Sequence, residues 1–282
     1  MLQADNISFV WQQAPAARRR DAPDAEAGIH GVSLRIGSRS LVGILGPNGS
    51  GKTTLLRVLA GILQPARGRV LLDDIDLRAL PRARLARRIA VVPQETHLAF
   101  DYSVLEVALM GRYPHLGAFE LEGPEDLAIA RDALRATGTD HLERRAFSTL
   151  SGGEKQRVII ASALAQAADV MLLDEPTASL DIGYQIGIAN LLARLHEDRG
   201  ITIVIATHDL NFAAGLCDSL VLVRAGRVLE SGPTSEVLTG DAIERLYGVE
   251  AEVTYHERAR HLTVVPLRKL AARGTTARTG PS

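Results

Sequence analysis

Eight consecutive residues, Gly46-Pro-Asn-Gly-Ser-Gly-Lys-Thr53, have the composition and spacing of a loop that binds phosphate groups. An apolar run at 41–45 precedes them and a helical pattern follows, so the loop should join a buried strand to a helix. Glycines permit the tight turn that points backbone N–H groups at phosphate oxygens, and the helix N-terminus adds a favourable dipole. We expect Lys52 to reach the β- and γ-phosphates of a nucleotide, and the Thr53 hydroxyl to bind Mg²⁺, which prefers oxygen ligands. The residues expected to bind the nucleotide here are Gly46, Pro47, Asn48, Gly49, Ser50, Gly51, Lys52, Thr53 and Thr54.

A second apolar run, at 170–173, ends in two adjacent carboxylates, Asp174 and Glu175. In enzymes with a phosphate loop, an aspartate at a strand end supports Mg²⁺, which is the role we expect for Asp174. Glu175 lies past the strand end, where it could polarise an attacking water as a general base. The pair therefore predicts hydrolysis of the nucleotide as well as binding.

A third motif, Leu150-Ser-Gly-Gly-Glu-Lys-Gln-Arg157, would open a helix near Gly153 and so create a second anion site at a helix N-terminus. One phosphate loop and a second phosphate-binding helix in one chain suggest that two copies pair. The motif resembles the signature of ABC-type ATPases, in which two subunits face each other head to tail. The resemblance implies that ATP lies between the phosphate loop of one subunit and Ser151, Gly152 and Gly153 of the other.

Further motifs resemble those of the same family in the same order. Val91-Val-Pro-Gln94 is similar to the glutamine loop, which implies that Gln94 senses Mg²⁺ and the γ-phosphate and takes part in catalysis. Ser179-Leu-Asp181 is similar to the loop that crosses the dimer interface, so Asp181 should lie near the nucleotide. Ala206-Thr-His208-Asp209 is similar to the switch-histidine motif, which implies that His208 contacts the γ-phosphate and orients the water beside Glu175.

An aromatic residue near the N-terminus of the family stacks on adenine. Trp11, the single tryptophan, occupies that place here, with Phe9 as the competing choice. Family members usually carry tyrosine there, but any aromatic face can pack on a base.

The elements that must position these residues alternate along the chain. Apolar runs at 41–45, 170–173 and 201–206 predict buried parallel strands, and the patterns at 52–60, 153–167 and 184–197 predict helices. This indicates an α/β fold. The resemblance implies a P-loop NTPase (RecA-like) sheet core, an N-terminal antiparallel β portion and an inserted helical subdomain.

The domain organisation follows from the same patterns. We expect an ATPase domain over 1–250 with the helical subdomain at about 96–157, then a short hairpin and a disordered tail over 251–282. The hairpin is expected to consist of 252–255 and 261–265. The Pro- and Arg-containing segment 12–28 should be a solvated loop, and 274–282 a disordered tail.

Composition excludes several classes of protein. A net charge of −1 gives no global attraction to nucleic acid, so none is expected as a partner. The single cysteine, Cys217, excludes an internal disulfide framework. The first residues lack the pattern of a signal peptide, and no apolar run is long enough to span a bilayer. We therefore expect a soluble chain that a partner would hold at any membrane where it works.

Two short motifs concern the type of transporter. Gly111-Arg-Tyr-Pro-His115 and Leu246-Tyr-Gly248 resemble ATPases that drive importers of iron-siderophore, haem and cobalamin. This implies a homodimer bound to membrane permease subunits through the surface near 100–110, indirect contact with a substrate-binding protein, and a peripheral position on the cytoplasmic face of the plasma membrane. The alternatives are an ABC ATPase for another substrate, a soluble ABC ATPase without a transport role, and a nucleotide-binding module without turnover. Glu175 and His208 argue against the last.

Overall fold

The computed structural model describes residues 1–11, 28–96, 98–117 and 119–270. The predicted loop at 12–28, apart from Gly28, and the predicted tail at 274–282 lie outside this part of the chain.

The strands are β1 (Leu2–Val10), β2 (Gly28–Ile36), β3 (Leu41–Leu45), β4 (Arg67–Leu72), β5 (Ile75–Asp76), β6 (Ile89–Val92), β7 (Val170–Asp174), β8 (Thr202–Thr207), β9 (Ser219–Arg224), β10 (Arg227–Pro233), β11 (Val249–His256) and β12 (His261–Lys269). The helices are α1 (Lys52–Leu59), α2 (Arg82–Ala86), α3 (Val104–Leu109), α4 (Pro124–Thr137), α5 (Gly152–Ala165), α6 (Ile182–Arg199), α7 (Leu210–Leu216), α8 (Thr234–Val237) and α9 (Gly240–Tyr247). Short 3-10 turns lie at Leu77–Ala79, Met110–His115, Asp140–Leu142 and Phe147–Thr149.

The central sheet has six strands in the order β10-β9-β3-β8-β7-β6. All neighbours pair in parallel except β10, which runs antiparallel to β9. Every residue of β3, β7 and β8 is buried, as expected for strands covered by helices on both faces. The sequence therefore located the three central strands correctly, although β7 ends one residue later than predicted and β8 both begins and ends one residue later.

A second sheet, β2-β1-β4-β5, is antiparallel throughout. It shares an apolar core with α1 and with one face of the central sheet, where side chains such as Ile7, Leu55 and Ile44 are fully buried. This sheet is the antiparallel β portion, and together with the parallel sheet it confirms the predicted fold class.

The helices α3, α4 and α5, which follow β6 and precede β7 in the chain, pack against one another. They form the inserted helical subdomain. Gly111 makes a close approach possible, because a Cβ there would lie 2.0 Å from the carbonyl oxygen of Ser162 in α5. The next residue, Arg112, is buried and donates to Asp126 at 2.9 Å and to the Ala165 carbonyl at 2.7 Å. The Gly111–His115 motif thus fastens the end of α5 to the start of α4, which is a structural role within the subdomain.

The last two strands form a separate antiparallel hairpin in the region where the sequence predicted one. β11 and β12 run longer than the predicted 252–255 and 261–265, and β12 packs against α7. Across the described residues, every helix is too short or too polar to cross a membrane.

Candidate active site

The predicted chemical groups meet at one edge of the central sheet. β3, β7 and β8 are parallel neighbours, with Leu45 of β3 paired to Thr207 and Asp174 of β7 paired to Ala206. Because parallel strands end at the same edge, the segments that follow them are brought together there. These segments are the phosphate loop after β3, Glu175 after β7 and His208 after β8.

The phosphate loop has the tight backbone that its glycines predict. Gly49 and Gly51 have φ angles of 78° and 103°, in the region that favours glycine. A Cβ on Gly46 would lie 2.2 Å from the carbonyl oxygen of Val223, so a larger residue cannot occupy that position without a shift. The buried hydroxyl of Ser50 has no hydrogen-bond partner among the described residues. A buried polar group of this kind is costly unless it is satisfied, and a phosphate oxygen would satisfy it.

Lys52, the first residue of α1, points back into the loop. Its ammonium donates to the carbonyl oxygens of Gly46 at 2.8 Å and Pro47 at 3.3 Å. The same Nζ lies 3.4 Å from Oε1 of Glu175, and both side chains are buried. The ammonium therefore connects the phosphate loop to the strand-end carboxylate.

Thr53 and Asp174 form an oxygen pair beside Lys52. The Thr53 hydroxyl donates to Oδ1 of Asp174 at 3.0 Å. Burial raises the pKa of Asp174, the negative charge of Glu175 adds to this, and the hydrogen bond from Thr53 opposes it. A divalent cation would favour the ionised carboxylate and would find only oxygen ligands here, as Mg²⁺ prefers. The pair therefore fits the predicted metal site.

Glu175 links the loop to the segment after β8. Its Oε2 lies 2.7 Å from Nδ1 of His208, while its backbone N–H donates to the Ala206 carbonyl at 2.8 Å. Glu175 has a φ of 49°, an uncommon conformation for a residue other than glycine, and such backbone strain is frequent at functional sites. The His208 side chain is 53% exposed, so a ligand that enters from solvent can contact it.

The two aromatic candidates for adenine lie against each other at the end of β1. Their rings meet edge to face, with centroids 5.1 Å apart. Trp11 is 40% exposed and its Nε1 donates to the Thr54 hydroxyl at 3.1 Å, whereas Phe9 packs against the apolar core. Trp11 therefore presents the more exposed ring of the two, beside the start of α1.

The signature motif begins α5 one residue earlier than predicted, at Gly152, with Ser151 as the N-cap. The Ser151 hydroxyl donates to Oε2 of Glu154 at 2.8 Å, and the Ser151 N–H donates to the same oxygen at 2.8 Å. These bonds, the backbone one first, lower the pKa of Glu154. Gly153 is required by packing, because a Cβ there would lie 2.0 Å from the ring of Tyr184.

The signature helix and the phosphate-loop helix belong to different parts of the molecule. α5 packs against α3 and α4, whereas α1 packs against β7, β8 and the antiparallel sheet. The expected role of Ser151, Gly152 and Gly153 in binding phosphate therefore remains a prediction about a second copy of the chain.

The two other predicted residues are exposed. Asp181 caps α6, with its Oδ1 accepting from the Tyr184 N–H at 3.0 Å. Gln94 lies two residues beyond β6, whose Val92 pairs with Leu173 of β7, so it follows the strand next to the acid pair. The roles of Asp181 and Gln94 at the nucleotide remain predictions.

Sequence reasoning missed two side chains near His208. The buried Thr207 accepts a hydrogen bond from the Asp209 N–H at 3.1 Å. The Tyr247 hydroxyl lies 3.4 Å from the His208 carbonyl oxygen. Thr207 could have been noticed as a polar residue ending an apolar strand, but nothing in the spacing of Tyr247 points to a contact 39 residues away.

Comparisons with known proteins agree with this geometry. Residues 29–178 match the family model described as ABC transporter. The chain is 43% identical over 236 residues to a cobalamin import ATP-binding protein of Halobacterium salinarum, covering 84% of this chain but 58% of that protein. It is 42% identical over 263 residues to a hemin import ATP-binding protein of Bordetella pertussis, covering 90% and 95% of the two chains.

Solved structures give the same result. An inward-facing ABC transporter assigned to the metal-chelate type superposes with a TM-score of 0.79 at 28% identity, covering 94% of this chain and 96% of that chain. A bacterial ABC transporter cassette solved as a dimer superposes with a TM-score of 0.70 at 29% identity, covering 83% and 99%. With this fold, this arrangement of motifs and these relatives, the chain belongs to the ABC transporter family of ATP-binding proteins.

Proposed function

We propose that the chain is the ATP-hydrolysing subunit of an ABC importer for metal chelates of the iron-siderophore, haem or cobalamin class. The observation that carries the ATPase part is the contact of one buried carboxylate, Glu175, with both Lys52 and His208. These three residues come from three separate segments and converge beside a phosphate loop. That arrangement supports hydrolysis of a nucleoside triphosphate.

Each residue of the cluster has a distinct part in the proposed reaction. Lys52 exchanges its contacts with the loop carbonyls for the β- and γ-phosphates. Glu175 accepts a proton from the attacking water, and His208 holds the second carboxylate oxygen while facing the γ-phosphate. Thr53 and Asp174 would hold Mg²⁺, with Gln94 approaching from the next strand. When bound, the metal neutralises charge on the phosphate oxygens.

The proposed site is completed by a second copy. Ser151 and the backbone N–H groups of Gly152 and Gly153 form a helix N-terminus that suits a γ-phosphate. The Ser151 hydroxyl must then turn from Glu154 toward the phosphate. Asp181, at the start of α6, lies close to this interface in the proposed dimer. The solved dimer of a related cassette supports this pairing.

The proposed permease contact lies on the helical subdomain. Its surface carries a groove of about 410 Å³. Phe100 at the groove is 73% exposed, so its ring is available to a partner. The groove is lined in part by Leu98, Ala99, Phe100, Asp101, Phe147 and Lys155. Contact with a permease here would keep the chain at the cytoplasmic face of the membrane, and a substrate-binding protein would act on the permease from the other side.

The substrate class rests on the relatives, whose names specify cobalamin and hemin import. Both molecules are metal chelates, as are ferric siderophores. The subunit itself binds no chelate in this proposal, because recognition belongs to the permease and the binding protein.

The test is purification of the chain from its own membranes, followed by reconstitution in liposomes. We expect permease subunits to co-purify, and ATP to drive uptake of one of three added ligands: cobalamin, haem or a ferric siderophore. Absence of any permease from the purified material would favour a soluble ABC ATPase instead. ATP-driven uptake of a different substrate class would retain the ATPase role and contradict the chelate assignment.

A further inference from the structure

We propose that Asn211 and Tyr247 are positioning residues, through which the C-terminal hairpin and α9 hold the segment that carries His208 against Glu175. The inference rests on the proposed function, because it assumes that His208 takes part in hydrolysis. Asn211 and Tyr247 lie outside the span 29–178 that the family model matches.

The first contact joins α7 to the hairpin. The Asn211 Oδ1 accepts from the Val264 N–H at 2.8 Å, and its Nδ2 donates to the Val264 carbonyl at 3.2 Å. One side-chain amide therefore makes both hydrogen bonds that a neighbouring strand would make with that residue of β12. Val264 is buried, so loss of the amide would leave a main-chain donor and acceptor unsatisfied.

Apolar packing reinforces this contact. Ala213 and Ala214 of α7 are buried, and Leu262 of β12 packs against the same core. On the exposed side, a Cβ on Gly215 would lie 3.2 Å from the His261 ring, so the helix and the hairpin approach closely. α7 packs against β12 and also against β3, which leads into the phosphate loop. The hairpin is thus one of the elements that hold α7 against the sheet.

The second contact reaches the switch residue directly. The Tyr247 hydroxyl, at the end of α9, donates to the His208 carbonyl at 3.4 Å. Burial of the ring raises the pKa of Tyr247, and the negative charges of Glu175 and Asp209 add to this. The hydroxyl therefore remains protonated at neutral pH and stays a donor.

Local bonds transmit this restraint to the imidazole. Asp209 caps α7 through the Phe212 N–H at 2.9 Å, and its own N–H is held by Thr207. His208 therefore lies in a short segment fixed by β8 on one side and by α7 on the other. Tyr247 and Asn211 hold that segment from outside. A shift of about 1 Å in a catalytic group can reduce the rate by about two orders of magnitude, so small movements of the hairpin would matter.

The test compares Tyr247→Phe and Asn211→Ala with the unaltered full-length chain in steady-state ATP hydrolysis. Tyr247→Phe removes only the hydroxyl and should lower kcat about 3-fold, whereas Asn211→Ala removes two bonds and should lower it about 10-fold. The KM for MgATP should remain unchanged in both, because the phosphate loop is not altered. The matched control is Tyr255→Phe, on an exposed tyrosine of the hairpin, which should keep the wild-type kcat.

A double-mutant cycle separates positioning from general stability. If both residues act through His208, neither substitution should lower kcat further in a His208→Ala background. If Tyr247→Phe or Asn211→Ala lowered kcat in the His208→Ala background by the same factor as in the wild type, the inference would be overturned. A wild-type kcat in both single variants, alongside an impaired His208→Ala, would also overturn it. The melting temperature of each variant shows whether a lower kcat comes from loss of folded protein. Tyr247→Phe, the milder substitution, is the variant expected to keep its fold. Wild-type turnover by His208→Ala would overturn the proposed role of His208 itself, and this inference with it.

Discussion

Replacement of Glu175 by glutamine tests the proposed chemistry at its centre. The side chain keeps its shape and one carbonyl oxygen but loses its charge, so it can no longer accept a proton from water. In this structure the carboxylate contacts Nζ of Lys52 at 3.4 Å and Nδ1 of His208 at 2.7 Å. The substitution therefore removes a general base and one half of a buried ion pair.

The expected magnitudes differ for turnover and for stability. Loss of a general base should lower kcat by about 10²- to 10⁴-fold. Breaking a buried ion pair commonly costs about 3–5 kcal/mol in the free energy of unfolding. We expect a smaller loss, about 1–3 kcal/mol, because Lys52 keeps its bonds to Gly46 and Pro47 and the repulsion between Glu175 and Asp174 is relieved. ATP should restore more stability to the variant than to the wild type, because its phosphates replace the lost negative charge beside Lys52.

Three measurements on the purified chain follow from this. Phosphate release gives kcat, thermal melting with and without MgATP gives the stabilisation by nucleotide, and light scattering gives the mass of the ATP-bound species. We expect a dimer that persists with ATP in Glu175→Gln and is transient in the wild type. Glu197→Gln, at an exposed position of α6, is the control and should match the wild type. Wild-type kcat in Glu175→Gln would refute the assignment of the general base, and equal stabilisation by ATP in both proteins would refute the electrostatic argument.

Three further predictions concern the nucleotide and the signature helix. Lys52→Ala should weaken ATP binding by about 10- to 100-fold in calorimetric titration, because a charge-assisted contact with phosphate is lost. The control Lys269→Ala, at an exposed position, should bind ATP normally. Undiminished affinity in Lys52→Ala would contradict the assignment of Lys52 to phosphate binding. Trp11 is the single tryptophan, so its fluorescence reports on that ring alone and should change on ATP addition if the indole stacks on adenine; an unchanged spectrum at saturating ATP would favour Phe9. Gly153→Ala should lower the free energy of unfolding by about 1–3 kcal/mol, because the added methyl overlaps the Tyr184 ring. In chemical denaturation, adding Tyr184→Ala should recover part of that stability. An unaltered denaturation midpoint in Gly153→Ala would refute the predicted overlap.

Short-range patterns in the sequence predict those parts of the fold that depend on local composition. The strand at 41–45 consists only of apolar residues and glycine, and it must be followed by a helix if the glycine-rich loop is to bind phosphate. The structure has that strand at the predicted residues, and α1 begins at Lys52. The motif at 151–153 likewise predicts the start of a helix, which the structure has one residue earlier than expected. Hydrogen-bonding preferences of a few neighbouring residues suffice for such predictions.

Strands with imperfect alternation of buried and exposed residues were not predicted from local patterns. β1 and β2 alternate buried and exposed residues imperfectly, with shifts in register between them, so their period is hard to recognise. β10 alternates partly buried and exposed residues at the edge of the sheet, where little apolar surface is covered. β1 also pairs with β4, far away in the chain, with Leu2 opposite Leu72, and composition does not reveal such a partner. β10 instead pairs with the adjacent β9 across a tight turn, so its weak alternation alone hides it.

The Lys52–Glu175 and Glu175–His208 contacts show where the tertiary structure is decisive. The sequence alone determined that the chain carries a phosphate loop, an acid pair, a signature helix and a histidine after a strand, because each is a local pattern with its own chemistry. Only the strand order, with β8 between β3 and β7, brings three segments so distant in sequence within hydrogen-bond or ion-pair distance. The contact between Asn211 and Val264 is likewise tertiary. It forms because burial of the apolar faces of α7 and the hairpin outweighs the entropy lost in ordering them, and that balance depends on surfaces that local sequence cannot specify.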